Sequence, residues 1–169
     1  ITPTSGKIYI NNEDISTKNV IDLRRNMGYV IQQTGLFPHM TIRENIELIP
    51  KVQNKNPEDI KQQTYNLMDM VGLDCDKFLN RYPVELSGGQ QQRTSIGRAL
   101  INRPSIVLAD EPTGNLDSKN SKEVLELLKL SVRKYNQTLI MITHDTSIAL
   151  QADRVITIED GTIKQDEVI

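Results

Sequence analysis

The stretch that most constrains this chain is Ile106-Val107-Leu108-Ala109-Asp110-Glu111, an apolar run ending abruptly in two adjacent carboxylates. Consecutive apolar residues without alternation read as a strand covered on both faces, as in a parallel sheet flanked by helices. The next segments agree. Ser118 reads as the cap of a helix with the apolar stripe Val124, Leu127, Leu128 and Val132, and Leu139–Thr143 reads as a second buried strand. Strand, helix, strand in this order calls for parallel pairing, and ligands on such sheets bind beyond the C-terminal strand ends. Those ends carry Asp110-Glu111 and His144-Asp145.

The rest of the chain fits one α/β domain. Lys7–Ile10 reads as a short strand behind a Pro-Thr-Ser-Gly turn, followed by a polar turn at Asn11-Asn12 and a strand at Met27–Ile31. In the middle, Asn56-Pro57 supplies a cap and a first-turn proline and Gly72 a stop, with Ile60, Leu67, Met68 and Val71 on one helical face between them. That stripe reads as core. Near the end, Arg154–Ile158 and Thr162–Ile163 flank Glu159-Asp160-Gly161, a hairpin signal.

Composition narrows the function classes. With 20 basic and 22 acidic residues in 169, the net charge of −2 gives no basic footprint for nucleic acid. The single cysteine, Cys75, allows no intrachain disulfide, and a reducing compartment is expected. The apolar runs have strand length, too short to cross a bilayer, and no charged-then-apolar leader precedes Ile1. A cytoplasmic location is the expectation, with any membrane role coming through a partner.

Three groups carry chemistry. Asp110 is the first polar residue leaving the core, where such a strand places a carboxylate beside a nucleotide-bound Mg²⁺; the adjoining Glu111 can orient or deprotonate a water. Alone, the pair would as readily be the start of a solvated loop, and His144 a solvated histidine; their arrival at neighbouring strand ends favours a site. Leu86-Ser87-Gly88-Gly89-Gln90 puts a Ser cap and two glycines at a helix start, suited to an anion, although an ordinary capped helix would look the same. Ser5-Gly6-Lys7 suggests a phosphate-binding loop but fails the pattern, since Ile1 stands where the first glycine belongs and Ile8 where Ser or Thr should hold metal.

"LSGGQ", then "LADEP", "GNLD" and "THD", in that order, resemble the ordered motifs of the ABC-transporter nucleotide-binding domain, over residues 3 to about 163. The resemblance implies a P-loop NTPase fold, a RecA-like core plus a helical subdomain, divided as core strands and lid-glutamine loop in 1–40, helical subdomain in 41–88 and RecA-like core in 89–169. It implies ATP and Mg²⁺ as ligands, with Asp110 on the metal, Glu111 as catalytic base and His144 as the switch histidine touching the γ-phosphate. Gln32, six positions before Pro38, matches the lid glutamine, at once catalytic and metal-facing. Leu86, Ser87, Gly88, Gly89 and Gln90 resemble the motif that closes over ATP held by the other subunit, and Asp117 lies in the loop crossing that interface. The implied partners are transmembrane permease subunits and a second ABC ATPase subunit, identical or paired, with no nucleic acid, at the cytoplasmic face of the membrane.

In the family the phosphate loop precedes a "P-T-S-G-x-I" turn, so by resemblance the chain is N-terminally truncated and lacks its main phosphate clamp and one interior strand. "GYVIQQTGLFPHMTIRENI" and "RYPVELSGGQQQR" look like the ATPases of quaternary-amine osmoprotectant importers, whereas "LADEPTGNLDSKNSKEVLELL" looks like those driving lipoprotein release or export. A non-transport ABC ATPase of the DNA-repair kind and a non-enzymatic partner-binding fragment stay open beside the transport reading.

Overall fold

Three parallel strands form the centre of the molecule. The computed structural model describes residues 3–169, and in it β3 (Met27–Val30), β4 (Ile106–Asp110) and β5 (Thr138–Ile142) pair in the order β3-β4-β5. Val30 stands opposite Ala109, and Asp110 opposite Ile142, so the three strands leave the sheet at one edge.

Two long helices cover one face. Helix α5 (Gly88–Leu100) and helix α6 (Ser118–Tyr135) pack Ile96, Leu100, Val124 and Leu128 against Val30, Val107 and Ala109. The fit at Gly28 is close: a Cβ there would lie 2.8 Å from the carbonyl oxygen of Ala99. The other face is not covered by the described residues, and Tyr29, Ile140 and Ile142 stand 55%, 51% and 63% exposed. The expectation of strands buried on both faces is therefore corrected. Side chains alternate across a strand, and α5 and α6 lie on the same side of this sheet.

The span 41–88 is helical up to the start of α5. Helix α2 (Ile42–Val52) opens with a reciprocal capping box between Thr41 and Glu44, and α3 (Pro57–Met70) is capped by Asn56 as its sequence suggests. Gly72 follows it in the left-handed conformation, φ +67°, which terminates the helix without steric cost. Ile60, Leu67, Met68 and Val71 are all buried, and α4 (Cys75–Phe78) closes the group. Helix α5 begins at Gly88, so the division at 88/89 falls within its first turn.

Three local expectations shift. Asp117, not Ser118, caps α6, accepting the amides of Lys119 (3.0 Å) and Asn120 (2.9 Å). The carboxylate is the stronger acceptor for amides at a helix N-terminus. The first strand shrinks to β1 (Tyr9–Ile10), paired with β2 (Glu13–Asp14) across Asn11-Asn12, both at positive φ. Lys7, just before β1, faces Asp14 at 3.6 Å, and no helix follows it, so Gly6-Lys7 is part of a turn and not a phosphate cradle. At the far end, β6 (Arg154–Glu159) and β7 (Thr162–Val168) form the expected hairpin around Asp160-Gly161, but as a separate two-stranded sheet not hydrogen-bonded to β5. Short α1 (Val20–Arg25) precedes β3, and short α7 (Thr146–Ala149) lies between β5 and β6. Among the described residues no helix is long and apolar enough to cross a membrane.

Candidate active site

Because β3, β4 and β5 run in parallel, their exits deliver Gln32, Glu111 and His144 to one place. The Glu111 carboxylate sits between the other two: Gln32 Nε2 donates to its Oε2 at 3.1 Å, and His144 Nδ1 lies 2.9 Å from its Oε1. Glu111 achieves this in the left-handed conformation, φ +42°, with its amide donating to Ile142 O at 3.0 Å. A non-glycine residue held there is a local cost that persists where the surroundings impose it, commonly at functional sites. Gly114 makes room for the pair, since a Cβ there would lie 2.9 Å from Gln32 Nε2 and 3.1 Å from Glu111 Oε2.

The electrostatics follow from this contact. The hydrogen bond to Glu111, reinforced by its negative charge, pushes the His144 imidazole above its usual pKa. His144 is 78% exposed against 27% for Glu111, so the imidazole faces solvent while the carboxylate is recessed behind it. Asp110 is exposed at the end of β4. Among the described residues no three His, Cys, Asp or Glu side chains converge into a metal cage. Asp110 and the Gln32 amide oxygen are side-chain oxygens at this exit that could sit on a Mg²⁺, a cation that takes one or two protein oxygens and completes its shell with phosphate and water. Beside this edge a cleft of about 400 Å³ is lined by Glu111, Gly114, Lys122, His144, Ser147 and Gln151.

The second expected group lies at the start of α5. Ser87 and Gly88 are exposed, and Ser87 and Gln90 cap the helix reciprocally (2.9 and 3.4 Å), so the Gln90 side chain serves the cap. Gly89 is buried against Asn120 of α6, whose Nδ2 donates to Asp117 Oδ2 at 2.7 Å. The Asn120 amides also hold the Asp117 carboxyl below its ordinary pKa. Leu86, 6% exposed, packs into the core. The structure thus gathers Gln32, Glu111 and His144 in one cluster, and Ser87, Gly88, Gly89 and Asp117 in another joined by Asn120.

Sequence reasoning missed Gly114, Asn120, Gln92, Arg98 and Asn115. For Gln92 a signal existed: it lies four residues before Ile96 and eight before Leu100, on the buried stripe of α5, within a polar run that hides it.

Comparison with known proteins bears on the family and the fold. The family model described as "ABC transporter" matches residues 1–114. The carnitine transport ATP-binding protein OpuCA of Listeria monocytogenes is 46% identical over 98% of this chain and 42% of its own length. The osmoprotectant import ATP-binding protein OsmV of Salmonella typhimurium is 47% identical over 98% of this chain and 44% of its own. The chain thus spans less than half the length of these two relatives. The dimeric ABC transporter cassette MJ0796, a protein of Methanocaldococcus jannaschii, superposes with a TM-score of 0.83 at 35% identity, over 99% of this chain and 75% of that one. A second structure of it, a post-hydrolysis state bound to ADP and Pi, gives a TM-score of 0.82. The ordered motifs, the fold and these likenesses agree, and the chain belongs to the ABC transporter family.

Proposed function

We propose that this chain forms part of the ATP-binding and ATP-hydrolysing subunit of an ABC importer for osmoprotectants of the quaternary-amine class. The observation that carries the reading is the Glu111 carboxylate held between Gln32 and His144 at the exit edge of the parallel sheet. The names of two relatives matched over nearly the whole chain, a carnitine transport and an osmoprotectant import ATP-binding protein, support the substrate class.

In the reaction, water attacks the γ-phosphorus of ATP, the bond to the bridging oxygen of ADP breaks, and Glu111 takes the proton from the attacking water. Gln32 orients that carboxylate and the water from one side. His144, its charged form favoured by Glu111, faces the transferred phosphoryl group from the other. Bound Mg²⁺, held by Asp110 and Gln32, would neutralise charge on the phosphate oxygens. Ser87, Gly88 and Gly89 meet ATP held by a second ATPase subunit, and Asp117 lies at the same junction. Permease subunits dock on the helical region and place the assembly at the cytoplasmic face of a membrane. We propose also that the 169-residue polypeptide by itself holds ATP weakly, because its only Gly-Lys pair, Gly6-Lys7, lies in a turn with the lysine facing Asp14.

The test is Glu111→Gln in the complete transporter ATPase. Hydrolysis should fall by ~10²–10⁴-fold, the usual contribution of a positioned base, while ATP binding persists. A variant that hydrolyses within a few-fold of the parent would remove Glu111 from the role of base.

A further inference from the structure

Gln92 is a polar side chain in the middle of the core. It is 1% exposed, on the face of α5 turned toward the sheet. A buried amide is retained at a cost unless its polar atoms are satisfied. Its Nε2 donates to Pro112 O at 2.8 Å and lies 3.5 Å from Ile31 O. These two carbonyls are placed with meaning. Pro112 directly follows Glu111, and Ile31 directly precedes Gln32. One amide group therefore reaches both chain segments whose side chains meet at the site.

Other contacts complete the brace. Asn115 Nδ2 donates to Gln32 O at 3.3 Å, and the Gly114 amide to Glu111 O at 3.1 Å. Arg98, one turn and a half further along α5, donates to Thr34 O (3.0 Å) and Gly35 O (2.6 Å). Helix α5 thus carries two side chains that hold the Gln32 loop, and of these only Gln92 also touches the Glu111 loop. Pro112 is itself buried, so without Gln92 its carbonyl would lose its partner in a place water does not reach. The left-handed Glu111 would relax most readily, since its conformation depends on its neighbours.

We propose that Gln92 is a positioning residue for the reaction: it sets the Glu111 carboxylate against Gln32 by holding the carbonyls of Pro112 and Ile31, and so transmits the placement of α5 to the catalytic base. The proposal rests on the hydrolytic reading of Glu111 for its kinetic consequence, but its structural consequence stands apart from it. Gln92 is enclosed and acts through the two carbonyls it holds.

The experiment uses Gln92→Met, of similar length without donors, and Gln92→Glu, which keeps polarity but replaces the donor by acceptors. In the complete ATPase, each should lower kcat by at least ~10-fold with KM for ATP within ~3-fold, because misplacing a catalytic group costs turnover more than binding. In a Glu111→Gln background the same substitutions should cost less than ~2-fold, the non-additivity expected of residues acting through one another. Hydrogen exchange on the complete ATPase supplies the second reading. The amides of Glu111, Gly114 and residues 32–35 should exchange faster in both variants, while those of α3 are unchanged. An equal kinetic cost in both backgrounds, or exchange that is unaltered at these amides or raised throughout the chain, would overturn the proposal. If the parent ATPase does not hydrolyse ATP, the functional reading fails, and local exchange alone decides whether Gln92 positions these loops.

Discussion

Asn120 fills the space into which a side chain at Gly89 would grow. An added Cβ at Gly89 would overlap Oδ1 of Asn120, while that side chain is fixed on its other side by Asp117 at 2.7 Å. The two glycines opening α5 therefore differ: Gly88 has nothing within 4 Å of its would-be Cβ, and Gly89 faces inward.

Gly89→Ala should lower the midpoint of thermal unfolding, and Asn120→Gly should restore part of the loss when combined with it, because the two side chains compete for one space. Gly88→Arg should leave the midpoint unchanged and instead weaken ATP-driven pairing of the complete subunits. Calorimetry on the four variants checks the first statement and sizing with ATP the second. Additive losses for Gly89→Ala and Asn120→Gly would contradict the competition.

The His144–Glu111 contact predicts a pH dependence. His144 titrates above its usual 6.5, because the carboxylate favours the imidazolium. The sign follows: a folded-state pKa above the unfolded one stabilises in full below the unfolded value, and that stabilisation is lost as pH rises through the raised value. Glu111→Gln should bring the His144 titration, followed by the ring-proton resonances, back down toward 6.5. An unmoved titration would mean that the two side chains do not meet in solution.

Arg98 predicts a loop effect. Its guanidinium forks onto two carbonyls of the Thr34–Gly35 turn, and burial pushes its pKa below the usual value. Lysine offers a point charge and cannot reproduce the fork. Arg98→Lys should cost about 0.5–1.5 kcal/mol in denaturant unfolding, the ordinary net worth of a hydrogen bond, because Gly35 is exposed and Thr34 half-buried, and should expose the 32–36 segment to proteolysis. Unchanged stability and unchanged cleavage would show that the fork holds nothing.

The uncovered sheet face predicts association. Ile140 and Ile142 are more than half exposed, and among the described residues one edge of β5 has no strand beside it. Apolar side chains next to unpaired backbone groups invite pairing with another chain. The 169-residue polypeptide should self-associate on light scattering, and Ile142→Lys should shift it toward the monomer. A monomeric parent at high concentration would count against this.

How much of this was legible depends on the range of each interaction. The apolar run into Asp110-Glu111, the Asn56-Pro57 and Gly72 boundaries of α3, the Ser87 cap and the Asp160-Gly161 hairpin rest on neighbours a few residues apart, so the chain itself declares them. The motif order likewise pointed to Gln32, Glu111 and His144 as members of one site. The sequence alone determined these elements, their parallel pairing and the residues at their ends.

Tertiary structure decided the rest, because it depends on pairs distant in the chain. Nothing local says that α5 and α6 share one face of the sheet, leaving Tyr29, Ile140 and Ile142 uncovered. The meeting of Gln32 with Glu111, 79 positions apart, needs the register of β3 against β4 before any hydrogen bond can form. Gln92 is the sharpest case. In sequence it is one of three consecutive glutamines, and its spacing to Ile96 and Leu100 puts it on their stripe because a helix turns each successive side chain by about 100°; only the packing of α5 against the sheet brings its amide to the carbonyls of Pro112 and Ile31.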